Sequence, residues 1–416
     1  MDKREFLRTA GGLTISAVLG EDVWAGYSHR SASALAQDDG FWAQLRAKFR
    51  PSSDRIDLEH GYYSRMAEPV LDAFVGHVRA VNRDAAFYMR TRQQDDKRAV
   101  RDRLAKLAGV PPDELVVTRN TTESLDTVIA GHDWQPGDEC VMSRTDYGAM
   151  LEMFAQQARR HRITNRFVKL PLDPASDREI VDVYAQAITA RTRLLMVCQV
   201  VNLTGQILPV QKIADMAHAK GVAVMVDGAH AFAQLVFAIP DLHCDYYGAS
   251  LHKWLGSPLG AGILWVKKER IATLWPLFAV SAATGGVERL NHTGTHPAHT
   301  DLAIADAIAF HESIGAARKE ARLRFLQQYW TGKVRGVPRI ELFTPGDPQR
   351  ACAIATVGVR GIEPGELAAR LLDRHRIYTV AIDWEGVRGV RVTPHLDTTT
   401  AELDALVTAL RELAKA

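Results

Sequence analysis

The sequence predicts an α/β fold in which a mostly parallel sheet carries helices on both faces. Two observations predict it. Short, almost wholly apolar runs such as VAVMV at 222–226 recur along the chain, as strands buried on both faces require. Segments of helical length and periodicity lie between them, which is the rhythm of strand–helix–strand units. In chain order, residues 98–107 have helical spacing and stop at Gly109. The run LVVT at 115–118 is β-rich and is followed by Thr121-Thr122-Glu123, a helix-start signature. Residues 139–143 read as the next strand, 148–159 as a helix, 193–201 as a long apolar strand and 213–220 as a helix. Strands follow at 222–226, in DYYGAS ending at Ser250, and at 261–266. Residues 304–329 read as one long helical connection, and 353–359, 365–374, 389–393 and 400–413 suggest a smaller α/β domain.

Composition removes several function classes. The chain has 416 residues, 47% hydrophobic and 24% charged, enough for one large or two medium domains with filled cores. Lys+Arg number 51 against Asp+Glu 49 without a long like-charge block, so bulk charge does not direct the chain to nucleic acid. Cys140, Cys198, Cys244 and Cys352 are widely spaced and form no C-x-x-C, which argues against a disulfide scaffold or a cysteine zinc site. No 18-residue apolar run follows the N-terminus, so stable membrane insertion is not expected.

Residues 1–36 read as an address. Lys3 and Arg4 precede Phe6-Leu7 and a mildly apolar run at 10–20, and Ala34-Leu35-Ala36 offers a small-residue cleavage site before Gln37. The Lys-Arg-x-Phe-Leu string resembles a twin-arginine export signal, which implies a periplasmic or exported protein. Glu21 and Asp22 count against it, and a frayed N-terminus on a cytoplasmic protein is the plain alternative. The remainder divides into an N-terminal arm at 37–66, a large domain at 67–300, and a linking helix with a small C-terminal domain at 301–416.

The stretch 222–255 carries the chemistry. Asp227 ends one predicted strand and Lys253 follows another, and in open α/β sheets ligands sit outside the carboxyl ends of strands. A carboxylate and an amine in one partly dry crevice suggest a Schiff-base mechanism. Lys253 would form an imine with an aldehyde cofactor and Asp227 would hold a pyridine nitrogen protonated. Taken singly, Asp227 reads better as a helix cap and Lys253 as a solvated loop lysine. The segment Thr121-Thr122-Glu123-Ser124 adds weight, because the free N–H groups and dipole of a helix start attract phosphate; a plain cap fits it too. His292, His296 and His299, with Asp301, sit in a Gly/Thr/Pro loop rather than on one helix face, and no metal is expected there. Asp227, His230 and His252 would resemble a hydrolase metal site, but Lys253 would then have no role. Tyr62-Tyr63 and Phe87-Tyr88 fit either a substrate pocket or packing.

Arg119-Asn120-Thr121-Thr122-Glu123, Gly131-His132 through Pro136-Gly137-Asp138-Glu139, Tyr147-Gly148-Ala149, Val226-Asp227-Gly228-Ala229-His230 and His252-Lys253-Trp254 stand in one order along the chain. That ordered set resembles the class V aminotransferase-fold enzymes that use pyridoxal 5′-phosphate, in the style of the isopenicillin N epimerase-like subgroup. The resemblance runs from about Leu58 to the C-terminus. It implies a fold type I architecture, similar to aspartate aminotransferase. It also implies Lys253 as the Schiff-base lysine and carrier of the Cα proton, Asp227 on the pyridine nitrogen, and His230 near the ring's phenolic oxygen. Tyr147 would stack on the cofactor, and Asn202 would approach the same oxygen or the substrate. Thr121, Thr122, Ser250 and His252 would hold phosphate, completed by Gly294-Thr295 from a partner subunit, which implies a homodimer with shared sites. Arg391 would clamp the carboxylate of a small amino substrate, a task suited to a planar bidentate donor.

Two departures stand out. Cysteine desulfurases of this fold need a nucleophilic cysteine shortly before that arginine, and YTVAIDWEGVRG contains none. The subgroup's Leu-Asn-His-Gly reads Leu58-Glu59-His60-Gly61, so Glu59 alters the substrate entrance. The expectation is an aminotransferase-type enzyme, with epimerisation and carbon–sulfur lysis as alternatives. A non-catalytic binding protein and a metal-dependent hydrolase stand further off.

Overall fold

The computed structural model describes residues 15–281 and 283–415. Eight strands precede the C-terminal region: β1 Ile56–Asp57, β2 Leu115–Thr118, β3 Glu139–Ser143, β4 Thr164–Val168, β5 Thr192–Cys198, β6 Ala223–Asp227, β7 Tyr246–Ser250 and β8 Gly262–Val266. Strands β2 to β8 form a seven-stranded sheet in the order β2-β8-β7-β6-β5-β3-β4. Only β8 runs against its neighbours β2 and β7; the other pairings are parallel. Every residue of β2, β3, β6, β7 and β8 is buried, which is why β2, β6 and β8 are largely apolar runs in the sequence, while β3 and β7 carry buried polar residues at their ends. Edge strand β4, TNRFV, is largely open to solvent and has no such run, so its sequence carries no comparable signal.

The predicted strand at 193–201 ends at Cys198. Val200 instead bridges to Ile207 across a tight turn, in which Gly205 has φ +74° and an added Cβ would meet the Ile354 carbonyl oxygen at 2.1 Å. The turn therefore holds Asn202 against the C-terminal part of the chain.

The predicted single connection at 304–329 is two helices, Ala298–Ile314 and Ala316–Val334, broken at Gly315 with φ +88°. The break lets them serve two cores. Ile304, Ile308 and Phe310 join the core under the large sheet, while Leu326, Trp330 and Val334 join a second core with Leu58, Val357, Val390 and Leu410. Strands β9 Ile340–Leu342, β10 Ala355–Val359, β11 Ile377–Tyr378, β12 Val380–Trp384 and β13 Val387–Val392 surround that second core. Four of them form an antiparallel sheet in the order β12-β13-β10-β9, and β11 pairs in parallel with β1. A parallel bridge between Glu59 and Thr393 extends this contact and brings the segment after β1 beside the end of β13.

Lys3, Arg4, Phe6 and Leu7 of the leader lie outside the described residues. Its later part is docked: Leu35 is fully buried, its carbonyl accepts from Trp42 Nε1 at 2.8 Å, and Ala36 O accepts from Arg322 Nη1 at 2.9 Å. Among the described residues no helix is long and apolar enough to cross a membrane.

Candidate active site

The carboxyl ends of β5, β6 and β7 meet the N-terminus of helix Thr121–Gly131. Close approach is possible because β7 has Gly248, where a Cβ would meet Leu125 Cδ2 at 2.7 Å and Ser124 Cβ at 3.0 Å. Ser250 Oγ then accepts from the Thr121 N–H at 2.9 Å and lies 2.7 Å from Thr121 Oγ1. The helix is capped by Asn120, whose Oδ1 accepts from Glu123 N at 2.9 Å. The capping role that the sequence offered to the threonines therefore falls to Asn120, and their hydroxyls remain at the cavity.

One cavity of about 170 Å³ is lined by Thr121, Thr122, Tyr147, Asn202, Asp227, His230, Ser250, His252 and Lys253. Nine of the proposed site residues thus come from five separate stretches of chain to a single concave site. Gly294 and Thr295 do not join them; they line a separate groove with Lys97, His292 and His296. Phe87 is exposed and Tyr88 packs on Ala298 and Leu302, whereas Tyr62 and Tyr63 line the cavity. His299 packs on Phe74, and among the described residues no group of three His, Cys, Asp or Glu side chains is placed to hold a metal ion.

The electrostatics follow from burial. Lys253 Nζ lies 3.3 Å from His230 Nε2. Burial pushes its amine down to about 8, helped by Arg391 and opposed by Asp227, so a neutral nucleophilic amine is accessible near physiological pH. Burial, with the Lys253 and Arg391 cations, holds His230 neutral. Burial raises the Asp227 carboxyl, while Lys253 and the Ala229 N–H, donating to Oδ1 at 2.9 Å, stabilise its charge. Asn202 Oδ1, His230 Nδ1 and His252 Nδ1 are buried without a protein partner. Unsatisfied polar atoms around a cavity fit a ligand with several polar groups, and the hydroxyls at the helix start fit its phosphate.

Sequence reasoning missed Cys198, which ends β5 directly across from Asp227 in the strand register and lines the cavity. Its place at the end of an apolar strand next to a site strand was the available signal. Burial, then the Asp146 and Asp227 charges, keep its thiol protonated, so it is not poised as a nucleophile.

Arg391, on β13, stands differently from the rest. It is fully buried beneath the Tyr62 ring, with Cζ 4.1 Å from the centroid. Its Nη2 and Nε donate to Glu59 at 2.8 and 3.1 Å, and Nη1 donates to the Asn202 carbonyl at 3.1 Å.

A sequence model of the aminotransferase class-V family matches residues 65–397. The chain belongs to the class V aminotransferase family. This class V enzyme is 30% identical to an isopenicillin N epimerase of Streptomyces clavuligerus over 75% of its own length and 83% of the relative's. It is 28% identical to a probable cysteine desulfurase of Halobacterium salinarum, over 88% and 94% of the two chains. Among solved structures, a C-DES mutant with glycine covalently linked to its PLP cofactor superposes with a TM-score of 0.80 at 21% identity, covering 88% of this chain and 99% of that one. The cysteine desulfurase CsdA from Escherichia coli gives 0.79 at 23% identity, covering 90% and 98%. The class V enzyme thus has the fold type I architecture, and its cofactor is pyridoxal 5′-phosphate.

Proposed function

We propose that this enzyme acts at the amino-bearing carbon of a small amino compound, by aminotransferase-type chemistry, with Lys253 as the residue that holds the cofactor and moves the proton. The observation that carries this reading is the convergence of Lys253, Asp227 and the Thr121–Ser250 hydroxyl pair on one cavity. When bound, the cofactor supplies an electron-poor ring that accepts the electron pair left by deprotonation. Asp227 would hold the ring nitrogen protonated, His230 and Asn202 would face the phenolic oxygen, and Tyr147 would lie against the ring. Thr121, Thr122, Ser250 and His252 would hold the phosphate. The amine of Lys253, which burial makes accessible in its neutral form, would serve as the base for the proton on the substrate's amino-bearing carbon.

Epimerisation is a second reading, supported by the isopenicillin N epimerases among the relatives, the second from Amycolatopsis lactamdurans at 29% identity over 90% of this chain. Both readings share the first proton transfer. Borohydride treatment of the purified, coloured protein is expected to fix the cofactor on Lys253, read by peptide mass. A colourless protein that takes up no pyridoxal phosphate overturns the proposal.

Two further parts of the proposal concern assembly and location. Gly294 and Thr295 stand in a groove apart from the cavity, so a second copy would bring them to the phosphate, and sedimentation equilibrium is expected to give a homodimer. The leader is proposed to direct export. A cut after Ala36 would remove the buried Leu35 and the Ala36 carbonyl that Arg322 uses. The exported protein is therefore expected to keep these residues, with its N-terminus upstream of Leu35. Sequencing that finds Gln37 first, or protein found only in the cytoplasm, refutes this.

A further inference from the structure

Resting on the cofactor reading above, we infer that the substrate is a primary amine whose amino-bearing carbon carries an uncharged group where an amino acid carries its carboxylate, and that Glu59 sets this preference. The observation is the state of Arg391. Its guanidinium is wholly buried, its Nε and Nη2 edge is taken by the Glu59 carboxylate, Nη1 serves the Asn202 carbonyl, and the Tyr62 ring covers one face. The arginine is absent from the lining of the cavity that Lys253 enters, although its charge is felt at Lys253, His230 and Tyr147.

Glu59 is no loose gate. Its Oε1 also accepts from the Tyr62 N–H at 2.8 Å, and its backbone bridges to Thr393 beside β13. Gly61 gives it room, since a Cβ there would lie 3.0 Å from Oε1 and 3.2 Å from Arg391 Cζ. The side chain is 4% exposed. A substrate carboxylate brought to Arg391 would set two carboxylates against one buried guanidinium, leaving a net negative charge in a poorly solvated place. An amide, or another uncharged group, meets no such penalty and finds the unpartnered Asn202 Oδ1 as an acceptor.

Matched pairs test this. The holoenzyme is titrated with alaninamide and with alanine, following the cofactor's absorbance band. Alaninamide is expected to shift the band at concentrations at least about tenfold lower than alanine does. Glu59→Gln removes the competing charge and keeps the side chain's shape, and is expected to lower the alanine-to-alaninamide concentration ratio by at least about tenfold. A residue that only held the fold together would weaken both ligands alike. Equal response by the wild type, including no response to either, overturns the inference without needing the variant. An unchanged ratio in a folded Glu59→Gln overturns the role of Glu59. Absence of any cofactor band overturns the cofactor reading instead, and this inference falls with it.

Discussion

Lys253→Ala is expected to remove covalent cofactor attachment entirely and to lower turnover by several orders of magnitude, while leaving the fold and the phosphate site in place. The side chain serves twice, as the nucleophile that holds the cofactor and as the base at the amino-bearing carbon, and positioned bases alone contribute roughly 10²–10⁴-fold. Borohydride should then fix no cofactor, and dialysis should release it. A variant that keeps the fixed chromophore would place the linkage elsewhere. The wild type should show the pH signature of the same group. Burial pushes the amine down to about 8, so cofactor capture by cofactor-free protein should accelerate as pH rises through that value and then level off. The sign in stability agrees. Between about 8 and the ordinary 10.5, the unfolded chain holds a proton that the folded one has released, so this group's contribution to stability rises with pH across that window.

Arg391→Ala is expected to destabilise the protein by about 3–5 kcal/mol, the usual cost of breaking a buried ion pair from one side. Both partners are secluded, at 0% and 4% exposure, so solvent offers the stranded Glu59 carboxylate little relief. Removing the guanidinium also frees the Asn202 carbonyl and the face of Tyr62. The double replacement Glu59→Leu with Arg391→Met should recover most of the loss, because an apolar pair of similar volume asks for no charge compensation. Urea denaturation of cofactor-free protein measures both. A single variant within about 1 kcal/mol of wild type would show that the pair is solvated in solution.

Much of the large domain was legible in the chain. Strands β6 and β8 are apolar runs because both faces are buried, and helix Gly148–His161 follows its own periodicity. Edge strand β4 and the break at Gly315 were not, since a solvent-facing strand needs no apolar run and a helix can carry one glycine without stopping. Which core each half of the 298–334 region serves is a matter of packing, which local sequence does not encode.

The site divides in the same way. Motif order, through the resemblance it carries, pointed to the family, the cofactor class and nine residues that line one cavity. Only the tertiary structure decided that Cys198 faces that cavity, that Asn120 rather than a threonine caps the helix, and that Gly294 and Thr295 stand apart. It alone revealed that Arg391 is already paired with Glu59, 332 residues away in the chain. A contact across that separation depends on how the segment after β1 is brought beside the end of β13, and no local periodicity records it.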